Sequence, residues 1–555
     1  MCKRLLASLF LVTVSCLSVS CRPHRGAVDS LTVAAADVFA GGVEWKEGER
    51  LAVWSDADSL VTLTCRQTGR GRDAAFRFAC DSFVFRSGTA YHAVYPCPDD
   101  MSAVRIPSGD VRTLYGAAEV EGGAIRFVLR PVPSVLRMQL SLPATDSIGR
   151  AELVPLSGTV PSALLLDGRT GALAPADSVE RLSLPLETGL VDSLSVSLAL
   201  PAVLPDAPSA LLLYGRNRFY TFRVEGRTPA PGDSCLLEGA AVPLDASLPG
   251  RIEVEEMPQT QIRVPSGEYS GITYLENGMY AAVHDKSAGG GIWFFRIPLD
   301  GEGNVGEVRA FRAAGTGSGA AGRDAEGIAA ASGTLFVSME ADQSIREFDL
   351  EGNPTGRRLA VPDDLARDRI AANKGFEALS CQSGLDALWT VTEGPLLADK
   401  EWLDGRMLRL QRFSLTSLQP SGRYFYRMDA PTASASGCQA YVHGVSALAA
   451  LPDGRLLVLE REVRVPNGGF FEKLTGSFSR TKVFAVDPAR DPAGVLSKSP
   501  VADFSCGALG LSDFEGMCLG PALPDGSVPL LLLSDSQNGM GGLVQEYVKV
   551  LKLKL

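Results

Sequence analysis

One phrase recurs five times in the second half of this chain and constrains it more than any other feature. A short turn carrying an acidic residue or a serine leads into an apolar strand, a Gly-containing turn and a second strand ending in a carboxylate. The copies run from Tyr269-Ser-Gly-Ile-Thr to Val283-His-Asp-Lys, from Asp324-Ala-Glu-Gly-Ile to Val337-Ser-Met-Glu, from Phe376-Glu-Ala-Leu to Val391-Thr-Glu-Gly, from Gly444-Val-Ser-Ala-Leu to Leu459-Glu-Arg-Glu, and from Phe514-Glu-Gly-Met to Leu533-Ser-Asp-Ser.

Two antiparallel strands joined by a tight turn bring the start of the first and the end of the second to one edge. The polar residues of the five copies therefore converge on one face. Each unit has room for two further extended segments, as in Ser344-Ile-Arg-Glu-Phe-Asp-Leu and Arg357-Arg-Leu-Ala-Val, which is the content of a propeller blade. The expectation is an all-β ring of five recognisable blades. The longer spacing from Glu377 to Ser446 and from Ser446 to Glu515 leaves a sixth open, and the extended segment Arg251 to Val264 is a candidate to complete the last blade.

A chain of 555 residues is too long for one core and splits into about two to four domains. Its net charge of -11 argues against nucleic-acid binding. The 58 Gly and 34 Pro, with few stretches of 3.6-residue period, favour short strands and turns throughout.

The start reads as an export leader: basic Met1-Cys-Lys-Arg, an apolar run from Leu5 to Val14, then Ser18-Val-Ser-Cys21. The run is too short to span a bilayer, and no later segment reaches the roughly twenty apolar residues a membrane helix needs. Cys21 resembles the acylated cysteine of a bacterial lipoprotein, although Ser18 stands where that pattern has Leu. Cleavage at Cys16, or simple cleavage after Ser20 with a soluble product, are the alternatives. Residues 1–20 are thus expected as a signal peptide, 21–30 as a tether, and the product as an outer-membrane or cell-surface lipoprotein held by its N-terminal lipid.

Eight cysteines follow Cys21, and export permits disulfides among them, but sequence does not give their pairing. No Cys-x-x-Cys pair with a partnered histidine suggests a structural zinc site. Alternating segments after the tether, such as Leu51-Ala-Val-Trp and Tyr91-His-Ala-Val-Tyr, predict antiparallel strands. Two sandwich units, residues 31–145 and 146–248, accommodate them ahead of a propeller at 251–555.

Val43-Glu-Trp-Lys-Glu-Gly-Glu-Arg-Leu-Ala-Val-Trp, Tyr91-His-Ala-Val-Tyr-Pro and Ile125-Arg-Phe-Val-Leu-Arg resemble segments of the fimbrillin-like family. That resemblance implies a lipid-anchored surface sandwich, or a spacer for the propeller. Residues 251 to the end resemble the phytase-like family, or esterase-like activity of phytase. The likeness is carried by Asp324-Ala-Glu-Gly-Ile, Asn373-Lys-Gly-Phe-Glu-Ala-Leu, Thr392-Glu-Gly-Pro, Gly444-Val-Ser-Ala-Leu, Asp513-Phe-Glu-Gly-Met and Leu533-Ser-Asp. It implies a β-propeller with a shared acidic set and hydrolysis of phosphoesters.

From the residues themselves, the face gathers Glu326, Glu377 and Glu515 from first-strand starts, and Asp285, Glu340, Glu393, Glu460 and Asp535 from second-strand ends. Crowded carboxylates raise one another's pKa or recruit cations. Oxygen ligands without thiolates or clustered histidines suit Ca²⁺, so Asp285, Glu340, Glu393, Glu460, Glu515 and Asp535 are the expected metal ligands. Lys286, Arg323, Lys374 and Arg461 fall beside them and suit phosphate oxygens. Glu326 or Glu377 is the candidate general base toward a metal-bound water, and His284 the candidate acid toward the leaving oxygen.

Any one of these carboxylates also fits a purely structural part, accepting backbone N–H groups of the next blade. Ser270 and Ser446 occupy slots where other copies carry Glu, and neither lies in Gly-x-Ser-x-Gly, which argues against a serine-esterase triad. His443 reads as a structural histidine, and Trp293 and Trp389 as core. The leading expectation is a divalent-metal-dependent phosphomonoester or phosphodiester hydrolase at the cell surface. The alternative is a non-enzymatic, adhesin-like ligand-binding protein, since propellers host both kinds of work.

Overall fold

The structure is a computed structural model. It describes residues 30–35, 50–55, 58–67, 74–78, 86–108, 113–121, 124–200, 208–225, 234–244, 251–261, 268–284, 291–314, 324–491, 494–535 and 546–555. The leader, Cys21 and the tether lie outside these residues. The chain divides into two units, Met1–Pro243 and Leu244–Leu555.

In the second unit the five repeats become five antiparallel sheets, four of them of four strands in chain order and the fifth of five. Blade 1 is Tyr269–Tyr274, Met279–His284, Ile292–Arg296 and Arg309–Ala314, and blade 2 is Ala325–Ala331, Thr334–Met339, Ser344–Phe348 and Pro354–Arg358. Blade 3 is Phe376–Gln382, Ala387–Thr392, Met407–Phe413 and Pro420–Arg427, and blade 4 is Cys438–Ala450, Leu456–Pro466, Phe478–Val486 and Lys498–Gly507. Blade 5 takes Asp513–Leu519, Val528–Asp535 and Tyr547–Lys554 from the end of the chain, and its outermost strand, Glu253–Glu256, from the start of the unit. This pairing of the two ends closes the ring without an exposed final edge. The long spacing around Ser446 holds no sixth sheet among the described residues. Its extra length goes into the loop 393–406 and into the 13-residue and 11-residue inner strands of blade 4.

Alternating residues of neighbouring blades bury against each other between every pair of sheets. Phe294 and Val337 meet between blades 1 and 2, Phe336 and Phe376 between 2 and 3, Trp389 and Val458 between 3 and 4, Leu459 and Leu532 between 4 and 5, and Tyr280 and Val550 between 5 and 1. Inner strands also touch directly: the Ser338 hydroxyl donates to Phe376 O at 3.1 Å and that of Ser446 to Phe514 O at 3.0 Å. At the seam a Cβ on Gly516 would lie 2.7 Å from Ser270 O, so only glycine permits that approach.

A loop between the outer strands of blade 4 carries Asp491, 9 % exposed, which accepts from Ser497 N at 2.8 Å and from its hydroxyl at 3.1 Å. Burial pushes this carboxyl up from about 4 to about 6, against the pull of both hydrogen bonds. A raised carboxyl favours folding below its unfolded pKa, and that contribution is lost as pH rises through the folded value. Asp491→Asn is therefore expected to melt higher than the parent at pH 7.5, with the difference closing by about pH 4, read from Tm against pH.

The first unit differs from two successive sandwiches. A seven-stranded sheet orders Ser30–Ala35, Ala124–Pro131, Leu114–Glu121, Ala90–Tyr95, Arg50–Ser55, Asp58–Gln67 and Ala74–Phe78. The boundary expected at 145/146 falls inside one 22-residue strand, Ser134–Pro155. Its first half pairs with Leu190–Leu200 and Ser234–Ala240, and its second with Leu182–Pro185 and Ser209–Gly215. Val104–Pro107, placed by sequence in the first sandwich, pairs with Val160–Leu166 of the second. Where the long strand changes partners, buried Asp146 accepts from Ser147 N at 2.8 Å, Arg218 N at 3.2 Å and the Tyr220 hydroxyl at 3.1 Å. Cys97, Cys235, Cys381, Cys438, Cys506 and Cys518 are free thiols.

Candidate functional site

Every inner strand of the ring is bulged at the same place. Pairing with the second strand skips between Tyr269 and Ile272, Ala325 and Ile328, Phe376 and Ala378, Val445 and Ala447, and Phe514 and Gly516. A bulge frees one residue from the ladder and re-aims its side chain. The residues freed are Ser270, Glu326, Glu377, Ser446 and Glu515, and all five are buried. Glu377, Ser446 and Glu515 line a narrow axial cavity, with room for about a single water molecule.

The second-strand ends form the mouth above this axial ring. Glu393 N bonds Gly375 O, Glu340 N bonds Asp324 O, Asp535 faces Asp513, and Arg461 faces Gly444. By register, then, four repeats place an acid here, counting Asp285 from sequence alone, and blade 4 places Arg461. Glu460, the expected ligand, is one residue out of step and lies on the other face of the strand, since a shift of one residue reverses facing. There it accepts from the Tyr426 hydroxyl at 2.5 Å and Asp429 N at 3.0 Å and pairs with Lys498 at 2.7 Å.

Arg461 draws three carboxylates together. Its Nη1 pairs with Asp513 Oδ2 at 2.9 Å and with Glu515, and its Nη2 with Glu393 Oε1 at 3.0 Å. Burial opposes its charge, but Asp513, Glu515, Glu393 and Glu377 outweigh that and hold the guanidinium well above its ordinary pKa. Its Nε has no partner among the described residues. The other oxygen of Glu393 pairs with Lys374 Nζ at 2.8 Å, and Lys374 reaches the His443 carbonyl at 3.5 Å. Gly444 permits this seat, because a Cβ there would lie 2.6 Å from Glu393 Cγ. Burial keeps His443 itself neutral by lowering its pKa.

Glu377, 7 % exposed, has no hydrogen-bond or ion-pair partner among the described residues. Burial, then Glu326 and Glu393, raise its pKa well above the carboxylate range, with Arg461 pulling the other way. Glu515 is raised as well, chiefly by burial and against Arg461.

Of the sequence candidates, Glu326, Glu377, Glu515, Glu393 and Arg461 thus share one electrostatic neighbourhood, and Lys374 joins it through Glu393. Glu340 is turned to the next blade, accepting Gly375 N at 2.8 Å. His284 is buried at the inner end of its strand, and its Nε2 accepts from the Trp293 indole at 2.7 Å, which leaves Nδ1 to carry the ring hydrogen. Asp535 is buried opposite Asp513. Asp285, Lys286 and Arg323 lie outside the described residues. The site also contains Asp513, which sequence reasoning passed over. It stands two residues before Glu515 as Asp324 stands two before Glu326, a spacing that was there to be read. Among the described residues, no three Asp, Glu, His or Cys side chains are disposed to hold a metal ion.

Residues 264–537 match the family described as "Phytase-like: Esterase-like activity of phytase". No curated protein matches the chain. Among solved structures, a "putative cell adhesion protein" from Bacteroides ovatus is similar at 14% identity over 38% of this chain and 90% of its own, with a TM-score of 0.30. A member of the DUF4221 family from Bacteroides vulgatus is similar at 9% identity over 55% and 99%, with a TM-score of 0.32. Glutaminyl cyclase of Myxococcus xanthus is similar at 11% identity over 56% and 100%, with a TM-score of 0.29. The C-terminal half of this chain therefore resembles the phytase-like family, over a stretch that contains every axial and mouth residue from Ser270 to Asp535.

Proposed function

We propose that the propeller is a phosphoester hydrolase whose proton-transferring group is Glu377. The observation that carries this reading is the Glu377 carboxyl, 7 % exposed on the axial cavity, raised in pKa and set beside the buried cation Arg461. Such a group costs folding free energy, and a carboxyl raised in pKa is of the kind general acid–base work uses. In the proposed step water adds to phosphorus, Glu377 takes its proton, the bond from phosphorus to the leaving oxygen breaks, and that oxygen receives a proton from solvent. Lys374, about one-third exposed at the mouth, is the cation that meets substrate first.

The test is hydrolysis of a panel of phosphomonoesters, phosphodiesters and carboxyl esters by the full-length protein, with Ca²⁺ and with chelator. Turnover of a phosphoester, lost in Glu377→Gln, is the expected result. Turnover confined to carboxyl esters moves the substrate class, and none on any substrate leaves the ligand-binding, adhesin-like reading. The chelator arm reads whether turnover depends on a divalent cation.

Surface attachment through acylated Cys21 belongs to the same proposal. It is supported by the leader and by the absence, among the described residues, of a helix long and apolar enough to cross a membrane. Cys21→Ser is expected to move the protein from the detergent phase to the aqueous phase on partitioning; an unchanged distribution refutes the anchor.

A further inference from the structure

Three buried carboxylates converge at the mouth of the propeller, and what they converge on is a side chain. We propose that Arg461 is the resident cation of this site, standing where a divalent metal ion would otherwise sit among Glu393, Asp513 and Glu515. The inference concerns the ground state of the site and holds whether or not the hydrolase reading does.

The register supports it first. Arg461 occupies the strand position that carries Glu340, Glu393 and Asp535 in three other blades, so one repeat of an otherwise acidic ring has exchanged its charge. Geometry supports it next. Oxygens of Asp513 and Glu393 lie at 2.9 and 3.0 Å from the guanidinium and Glu515 closes the third side, in a place where the Arg461 side chain is 7 % exposed.

Space is the third element. The axial residue of blade 4 is the small Ser446, whose hydroxyl is turned to Phe514 O, so the guanidinium has the room that a Glu takes in blades 2, 3 and 5. Charge is the fourth. A fixed guanidinium removes the reason for these three acids to recruit a metal, and among the described residues no three such side chains are disposed to hold one.

The probe is CaCl₂, added to the full-length protein and followed by calorimetric titration and by Tm. The wild type is expected to show no stoichiometric Ca²⁺ binding at this site and the same Tm with CaCl₂ or chelator. Arg461→Gln, which vacates the seat while leaving all three carboxylates, is expected to melt lower without Ca²⁺, to bind one ion per chain at least about tenfold more tightly than the parent, and to regain Tm with CaCl₂. The gain is expected to disappear in Arg461→Gln combined with Asp513→Asn, and Arg461→Lys, which keeps a cation, is expected to show none. Ca²⁺ binding by the wild type that Asp513→Asn or Glu393→Gln abolishes overturns the proposal, and so does a folded Arg461→Gln that gains no Ca²⁺ affinity. Should Arg461→Gln fail to fold even with CaCl₂, the wild-type titration beside Asp513→Asn and Glu393→Gln decides: no binding by the wild type supports the resident cation.

Discussion

Arg461→Gln is expected to cost the propeller about 3–5 kcal/mol at neutral pH, the range for removing one partner from a buried ion cluster. Glu393, Asp513 and Glu515 are all buried, so none can turn to water when the guanidinium is gone. They are left facing one another and Glu377, and without an added cation their crowding is relieved by binding protons. That gives the loss a signature in pH. Carboxyls raised above their unfolded pKa favour folding when protonated, and the favour disappears as pH rises through the folded value. Glu377 and Glu515, which burial already raises, lose the opposing pull of Arg461 in the variant, so it should recover stability relative to the parent as pH falls from about 7.5 to about 5. Urea unfolding of the full-length protein at both values measures this. A loss under about 1 kcal/mol, or one equal at both values, means that the guanidinium is packing material and not the neutralising charge.

How far this cluster was legible before folding depends on which physical signal marked each residue. The blades were legible because strand pairs of fixed spacing leave the same polar residue at the same place in every copy, and the closing strand Glu253–Glu256 lies within the extended segment 251–264. The axial residues Ser270, Glu326, Glu377, Ser446 and Glu515 were legible for the same reason, although the bulge that aims them was not.

Where facing mattered, the pattern was too coarse. In Leu459-Glu-Arg-Glu the acid was chosen because the other copies end in acids, but the pleat puts Glu460 between blades 3 and 4 and gives the mouth position to Arg461. Glu340 matched in type and register and was nonetheless taken up by a backbone N–H of the next blade, a bond that composition does not announce. The division of the first unit is hidden in the sequence for a simpler reason. Ser134–Pro155 changes pairing partners midway without a glycine to mark the change, the Gly149 after it lying inside the second half.

Glu377→Gln should behave in the opposite way from Arg461→Gln, and the contrast separates a working group from a holding one. The carboxyl accepts no hydrogen bond among the described residues, while its charge is disfavoured by burial and by Glu326 and Glu393. A neutral side chain of the same shape removes that penalty, so the variant is expected to unfold at the same urea concentration as the parent or a higher one, and more clearly so at pH 7.5 than at pH 5. Activity should move the other way: loss of a positioned acid–base group costs about 10²–10⁴ in kcat, with KM for a phosphoester little changed because Lys374 still meets the substrate. Retention of kcat within about threefold shows that Glu377 does not carry the proton, and the unpartnered carboxyl is then a ligand contact. A fall in stability of more than about 1 kcal/mol shows that it accepts a hydrogen bond in the folded protein, which would make its cost structural and remove the observation on which the hydrolase reading stands.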